Sequence, residues 1–118
     1  MTQEQLWLPA AGSGRIFCRA WLPDTPPRAV LQIAHGLSEH SGRYEDLAVH
    51  LTAKGYAVVA SDHSGHGRSD GAPGCFNGGW WSAMEDLRRV ARRCRLQWPE
   101  SPLFLLGHSM GSFWCERC

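Results

Sequence analysis

The chain has 118 residues, long enough for one modest hydrophobic core and too short for two domains. Hydrophobic residues make up 43% and charged residues 19%, and twelve Lys and Arg against eleven Asp and Glu leave a net charge of +1. Those values fit an ordinary globular chain and exclude the basic footprint of a nucleic-acid or anionic-membrane binder.

The apolar runs, Ala57 to Ala60 and Leu103 to Leu106 among them, are far too short to span a bilayer. Met1 to Gln5 lacks the basic and apolar regions of a signal peptide, so a cytoplasmic setting is expected. Cys18, Cys75, Cys94, Cys115 and Cys118 follow no disulfide-framework spacing, and free thiols are expected. Cys115 and Cys118 form a C-x-x-C, but no second pair completes a zinc site. A redox pair of that kind belongs at the start of a helix after a strand.

Two short segments open the chain, Gln5 to Leu8 and Arg15 to Leu22. In the second, Ile16, Cys18, Ala20 and Leu22 alternate with Arg15, Phe17, Arg19 and Trp21, a period of two that predicts an antiparallel hairpin. Pro23, Pro26 and Pro27 then break the chain into a loop. Ala29 to Ala34 is a near-continuous apolar run, as in a strand covered on both faces. After the loop His35 to Gly42, Tyr44, Leu47, Ala48 and Leu51 fall at helical spacing and predict a helix over 43–54, with Gly55 as its C-terminal cap.

Tyr56 to Ala60 reads as the next buried strand, followed by a loop over 61–71. A long helix is predicted over 78–98, with Met84, Leu87, Val90, Ala91 and Cys94 on one face and arginines on the other. Trp80 and Trp81 at its start read as core packing. Leu103 to Leu106 is a third apolar strand, expected to be buried. Strands alternating with helices predict an α/β architecture, a hairpin followed by parallel strands with crossover helices.

The third strand runs directly into Gly107-His108-Ser109-Met110-Gly111, which matches G-x-S-x-G. That motif puts a serine on a sharp strand-to-helix turn, where a Cβ at either flanking glycine would crowd the backbone. The strand before it supplies the context the motif demands. A serine hydroxyl needs a base to take its proton, and backbone N–H groups to hold the oxyanion that forms. Met110 N–H, directly after the serine, and Leu37 N–H, in the loop after the first buried strand, are the candidates.

Three segments together, His35 to Tyr44, Asp62 to Ser69 and Gly107 to Gly111, resemble the monoacylglycerol lipase and lysophospholipase branch of the α/β-hydrolases, a branch also described as serine aminopeptidase S33-like. The resemblance runs from about Arg15 to Phe113 and covers nearly the whole chain. It implies an α/β-hydrolase fold, here its N-terminal half, and hydrolysis of carboxylic esters such as monoacylglycerols or lysophospholipids. It also implies Ser109 as nucleophile, Leu37 and Met110 as the oxyanion hole, and no cofactor or metal. The partner is a small-molecule acyl ester, with membrane contact only through a lipid substrate. An S33-like peptidase and an inactive fragment are the alternatives.

In this fold the triad acid and base follow the nucleophile in the chain, and only nine residues follow Ser109. The chain of 1–118 is therefore expected to be a partial domain, without its acid and base and inactive alone. His35 and His63 are expected to orient loops through backbone hydrogen bonds, and His108 to point away from the serine. Asp62 is expected to brace the Gly65 to Gly71 loop. His63-x-x-His66 lacks a third ligand for a metal, and Glu39 with Arg43 reads as a solvated ion pair. The tail Phe113 to Cys118 does not continue the small apolar residues of an elbow helix. Back-translation in a shifted frame gives Leu-Val, then Arg or a stop, then Ala or Thr and an apolar residue, and with arginine at that codon it restores them, so the resemblance is expected to end near residue 113 through a frameshift or truncated gene model.

Overall fold

The computed structural model describes residues 1–36, 40–71 and 79–108, the side chain of Trp80 excepted. Strand β1 (Thr2–Pro9) pairs antiparallel with β2 (Arg15–Leu22) along its whole length, from Thr2 opposite Leu22 to Pro9 opposite Arg15. The first strand thus begins three residues before the apolar pattern shows it. Strands β3 (Val30–Ala34), β4 (Ala57–Ser61) and β5 (Leu103–Gly107) complete a five-stranded sheet in the order β1-β2-β4-β3-β5. β4 runs antiparallel to β2, whereas β3 runs parallel to both β4 and β5.

Helix α1 (Glu45–Ala53) connects β3 to β4, and helix α2 (Gly79–Gln97) connects β4 to β5. The first connection steps one strand outward and the second steps back across β3. Crossovers of one hand then put the two helices on opposite faces of the sheet, and the packing shows this. Trp21, Ile33, Val58 and Ala60 pack with Ala48 of α1, while Ile16, Cys18, Ala20, Val30, Ala57 and Val59 pack with Val90 and Cys94 of α2. Strand alternation divides the core in two, because odd and even residues of β4 serve different helices. Both faces of β2 are buried for the same reason, with Ile16 and Cys18 on one and Trp21 on the other. Burying a side chain the size of Trp21 contributes roughly 2–3 kcal/mol.

The predicted helix over 43–54 begins differently. Ser41–Tyr44 forms a 3-10 turn, and α1 proper starts at Glu45. Its end follows the local signal: Tyr56 N–H donates to Leu51 O and Gly55 N–H to Thr52 O, with Gly55 at φ +95°. That is a Schellman motif, and the left-handed residue it needs is the glycine. The predicted face of α2 is buried, from Met84 through Cys94. The helix is also tied by polar groups: Asp86 accepts from Ala11 N–H at 2.7 Å, and Gln32 Nε2–H donates to Leu87 O at 2.9 Å.

Two expectations fail. Trp81 is 72% exposed, not core. At 3.6 residues per turn it lies about a third of a turn away from the Met84–Cys94 stripe. β5 is not a buried strand either: Phe104 is 59% exposed and Leu105 42%. It pairs only with β3, and among the described residues no element covers its other edge.

Candidate active site

The three parallel strands end in register. Ala34 lies opposite Ser61 on one side and opposite Gly107 on the other, so the next residues of each strand emerge at one edge of the sheet. β3 leads away to α1 and β4 to α2 on the opposite face. Neighbouring strands whose connections diverge leave a crevice at their carboxyl ends, the usual ligand position in open α/β sheets. His35, Gly36, Asp62, His63 and His108 stand there.

Asp62 holds this edge together. Its carboxylate accepts from Ser41 N–H at 2.5 Å and from Arg68 N–H at 2.9 Å, and its own carbonyl accepts from Ser69 Oγ–H at 2.7 Å. Ser69 Oγ in turn accepts from Phe17 N–H at 2.8 Å. The buried carboxylate thereby fixes the loop after β4 and the start of the 3-10 turn, while the Asp62 carbonyl, through Ser69, ties the same loop to Phe17 of β2. It braces the Gly65–Gly71 loop as its spacing suggests, and both of its oxygens are engaged by backbone amides. Such a group is a scaffold, not a partner for a catalytic histidine.

His35 and His63 are bound to each other's backbone. His63 N–H donates to His35 Nε2 at 2.9 Å, His63 Nε2 lies 2.8 Å from His35 O, and His35 Nδ1 lies 2.7 Å from Gly36 O. The rings sit 4.1 Å apart and are buried, with the His66 ring 5.4 Å from His35. Burial, reinforced by the neighbouring His35, pushes the His63 pKa down from 6.5 to about 3. The pair orients loops, and at neutral pH His63 is uncharged. His66 Nδ1 lies 3.0 Å from Ser64 O, so the His63-x-x-His66 pair also faces backbone, and among the described residues no three ligand-type side chains converge.

Of the elbow, Gly107 closes β5 opposite Ala34, and His108 is exposed with its N–H donating to Ala34 O at 3.1 Å. Ser109, Met110, Gly111 and Leu37 lie outside the described residues, as do Glu39, Cys115 and Cys118. A cavity of about 270 Å³ opens elsewhere, between α2 and the sheet, lined by Gln32, Leu87, Arg88, Arg92 and Leu105. It lies on a face of the sheet, and the described elbow residues Gly107 and His108 do not line it.

Residues 25–116 match the family described as serine aminopeptidase, S33. The chain belongs to that family. A monoglyceride lipase homolog of Monkeypox virus is 40% identical to this S33 member over 97 residues, covering 82% of this chain and 35% of that protein. A monoacylglycerol lipase of Mycolicibacterium smegmatis is 39% identical over 110 residues, covering 93% of this chain and 39% of its own. The chain thus spans between a third and two fifths of the length of these two relatives. The fold is that of the α/β-hydrolases: a thermostable carboxyl esterase from Bacillus coagulans, solved with glycerol, superposes with a TM-score of 0.81 at 28% identity, over 97% of this chain and 38% of that one. In this S33 member, as the sequence suggests, the His35-Gly36 loop and the elbow strand are neighbours. No helix among the described residues is long and apolar enough to cross a membrane.

Proposed function

We propose that the protein of which this chain forms the nucleophile-bearing part is a serine hydrolase that cleaves carboxylic esters of acyl lipids, of the monoacylglycerol lipase or lysophospholipase type. The observation that carries the reading is the pairing of Gly107 with Ala34, fastened by the His108 N–H bond to Ala34 O. It brings the strand leading to Ser109 and the strand leading to Leu37 to one edge. The lipase relatives support the ester class.

Ser109 Oγ attacks the ester carbonyl carbon while its proton passes to a general base. Leu37 and Met110 N–H groups hold the oxyanion. The alcohol leaves with that proton, and water then hydrolyses the acyl-enzyme by the same route. Neither His35 nor His63 is that base, because the ring nitrogens that bind backbone already have fixed roles. In this fold the acid and base follow the nucleophile in chain order.

The test joins this chain to the C-terminal portion of a monoacylglycerol lipase relative. The completed protein should hydrolyse monoacylglycerol and take up a fluorophosphonate probe at Ser109, and Ser109→Ala should abolish both. Labelling or ester hydrolysis that survives Ser109→Ala overturns the reading. The family description favours a second substrate class, aminoacyl amides. Preferential cleavage of these over acyl esters by the completed protein would select it.

A further inference from the structure

The bonds between His35 and His63 determine where their protons sit. A backbone N–H only donates, so His35 Nε2, which faces His63 N–H at 2.9 Å, carries no proton. Its Nδ1 then carries the proton and donates to Gly36 O at 2.7 Å. A carbonyl only accepts, so His63 Nε2 is protonated and donates to His35 O at 2.8 Å. Both tautomers are therefore set by backbone, and the two bonds between the histidines join the end of β3 to the loop after β4.

We propose that His35 is a positioning residue and a protonation-sensitive latch: while neutral it fastens the loop leading to Leu37 onto the loop after β4, and on protonation it lets go. A proton on Nε2 would set N–H against the N–H of His63, and no other tautomer restores the acceptor. The added charge would lie in a buried cluster, with ring centroids 4.1 Å from His63 and 5.4 Å from His66. Among the described residues, the charged and titratable groups nearby do not place an anion against it. Asp62 has its carboxylate on the Ser41 and Arg68 amides, His108 beyond β5 is exposed, and α2 packs Ala83, Met84 and Leu87 against Ala34, with the cationic Arg88 and Arg92 lining the cavity beside it. The depressed His63 pKa is consistent with a site that disfavours charge. The catalytic meaning of the latch rests on the proposed role of the Leu37 amide; the latch itself does not.

The experiment follows imidazole nitrogen shifts and amide hydrogen exchange in the ¹⁵N-labelled 118-residue chain from neutral to acid pH. At neutral pH His35 should show the Nδ1–H tautomer and the His63 amide should be protected. On acidification its protection should fall more steeply than that of the Val59 amide in β4, which reports the fold as a whole, by about a further tenfold per pH unit once His35 is protonated. His35→Gln keeps an acceptor that does not take a proton in this range, so there the His63 amide should follow Val59 into acid. His35→Ala should lose the protection at every pH. An Nε2–H tautomer at His35, an unprotected His63 amide at neutral pH, or the same excess acid dependence over Val59 in His35→Gln overturns the proposal. None of these readouts involves Ser109, so failure of probe labelling there would refute the hydrolase reading separately.

Discussion

Gly67→Ala is expected to destabilise the chain by ~2.5–5 kcal/mol, and the reason lies in one contact. Gly67 has φ +50°, in the left-handed region, where an L side chain costs about 1–2 kcal/mol. A Cβ built there would also run into the Asp62 carboxylate, with Oδ1 at 2.9 Å and the nearer oxygen closer still. The carboxylate would have to swing away from the Ser41 or the Arg68 amide, and a hydrogen bond to a charged group contributes ~1.5–3 kcal/mol. Losing one such bond and adding the backbone strain gives the figure above, a large part of a typical domain's 5–15 kcal/mol or so. Urea unfolding with an unchanged m-value is the assay. The Asp62→Ala background is the control: with the carboxylate gone, Gly67→Ala should cost only the strain, ~1–2 kcal/mol. Equal costs in both backgrounds would refute the argument.

Acid should weaken the fold through His63. Its folded pKa of about 3 lies below the ordinary 6.5, so between those values the unfolded chain takes up a proton that the folded chain refuses. The contribution is fully present above pH 6.5 and declines as pH falls from 6.5 toward 3, by up to ~1.4 kcal/mol per unit. Urea midpoints that are flat between pH 7 and 5 would contradict it. Burial pushes the Cys18 thiol up to about 12 and the Cys94 thiol up to about 11, so both should resist a disulfide reagent in the folded chain and react in urea, read by mass spectrometry of the labelled peptides. Finally, Phe104→Lys should reduce self-association in light scattering, because a charge on an exposed strand edge opposes edge-to-edge pairing; an unchanged associated fraction would count against β5 as the sticky edge.

Much of the fold is legible because its signals are local. The apolar runs of β3 and β4, the α2 stripe and the glycine that ends α1 each state their role within a few residues. What the sequence hides depends on distant partners. Thr2 to Gln5 has no apolar pattern, yet it is strand because β2 offers it a full antiparallel ladder. The 3-10 turn at Ser41 replaces the first helical turn where Asp62, twenty-one residues on, captures the Ser41 amide. β5 shows the converse error. An apolar run announces that a strand is fit to be buried, but burial itself depends on what lies alongside, and among the described residues only β3 pairs with it.

The candidate site divides along the same line. The elbow motif is stated by five residues and the strand before them, and of these the structure describes Gly107 and His108. The histidines cannot be read in that way, since a base, a metal ligand and a loop tie all use the same side chain. Their roles follow from which nitrogen meets which backbone atom. A general base for Ser109 needs a ring nitrogen with a lone pair turned toward the serine and a pKa near the working pH. His35 has its one lone pair on the His63 amide, and His63 is held far from that pKa range by burial. Two histidines at the carboxyl edge therefore shape the floor of the site and do not take its proton.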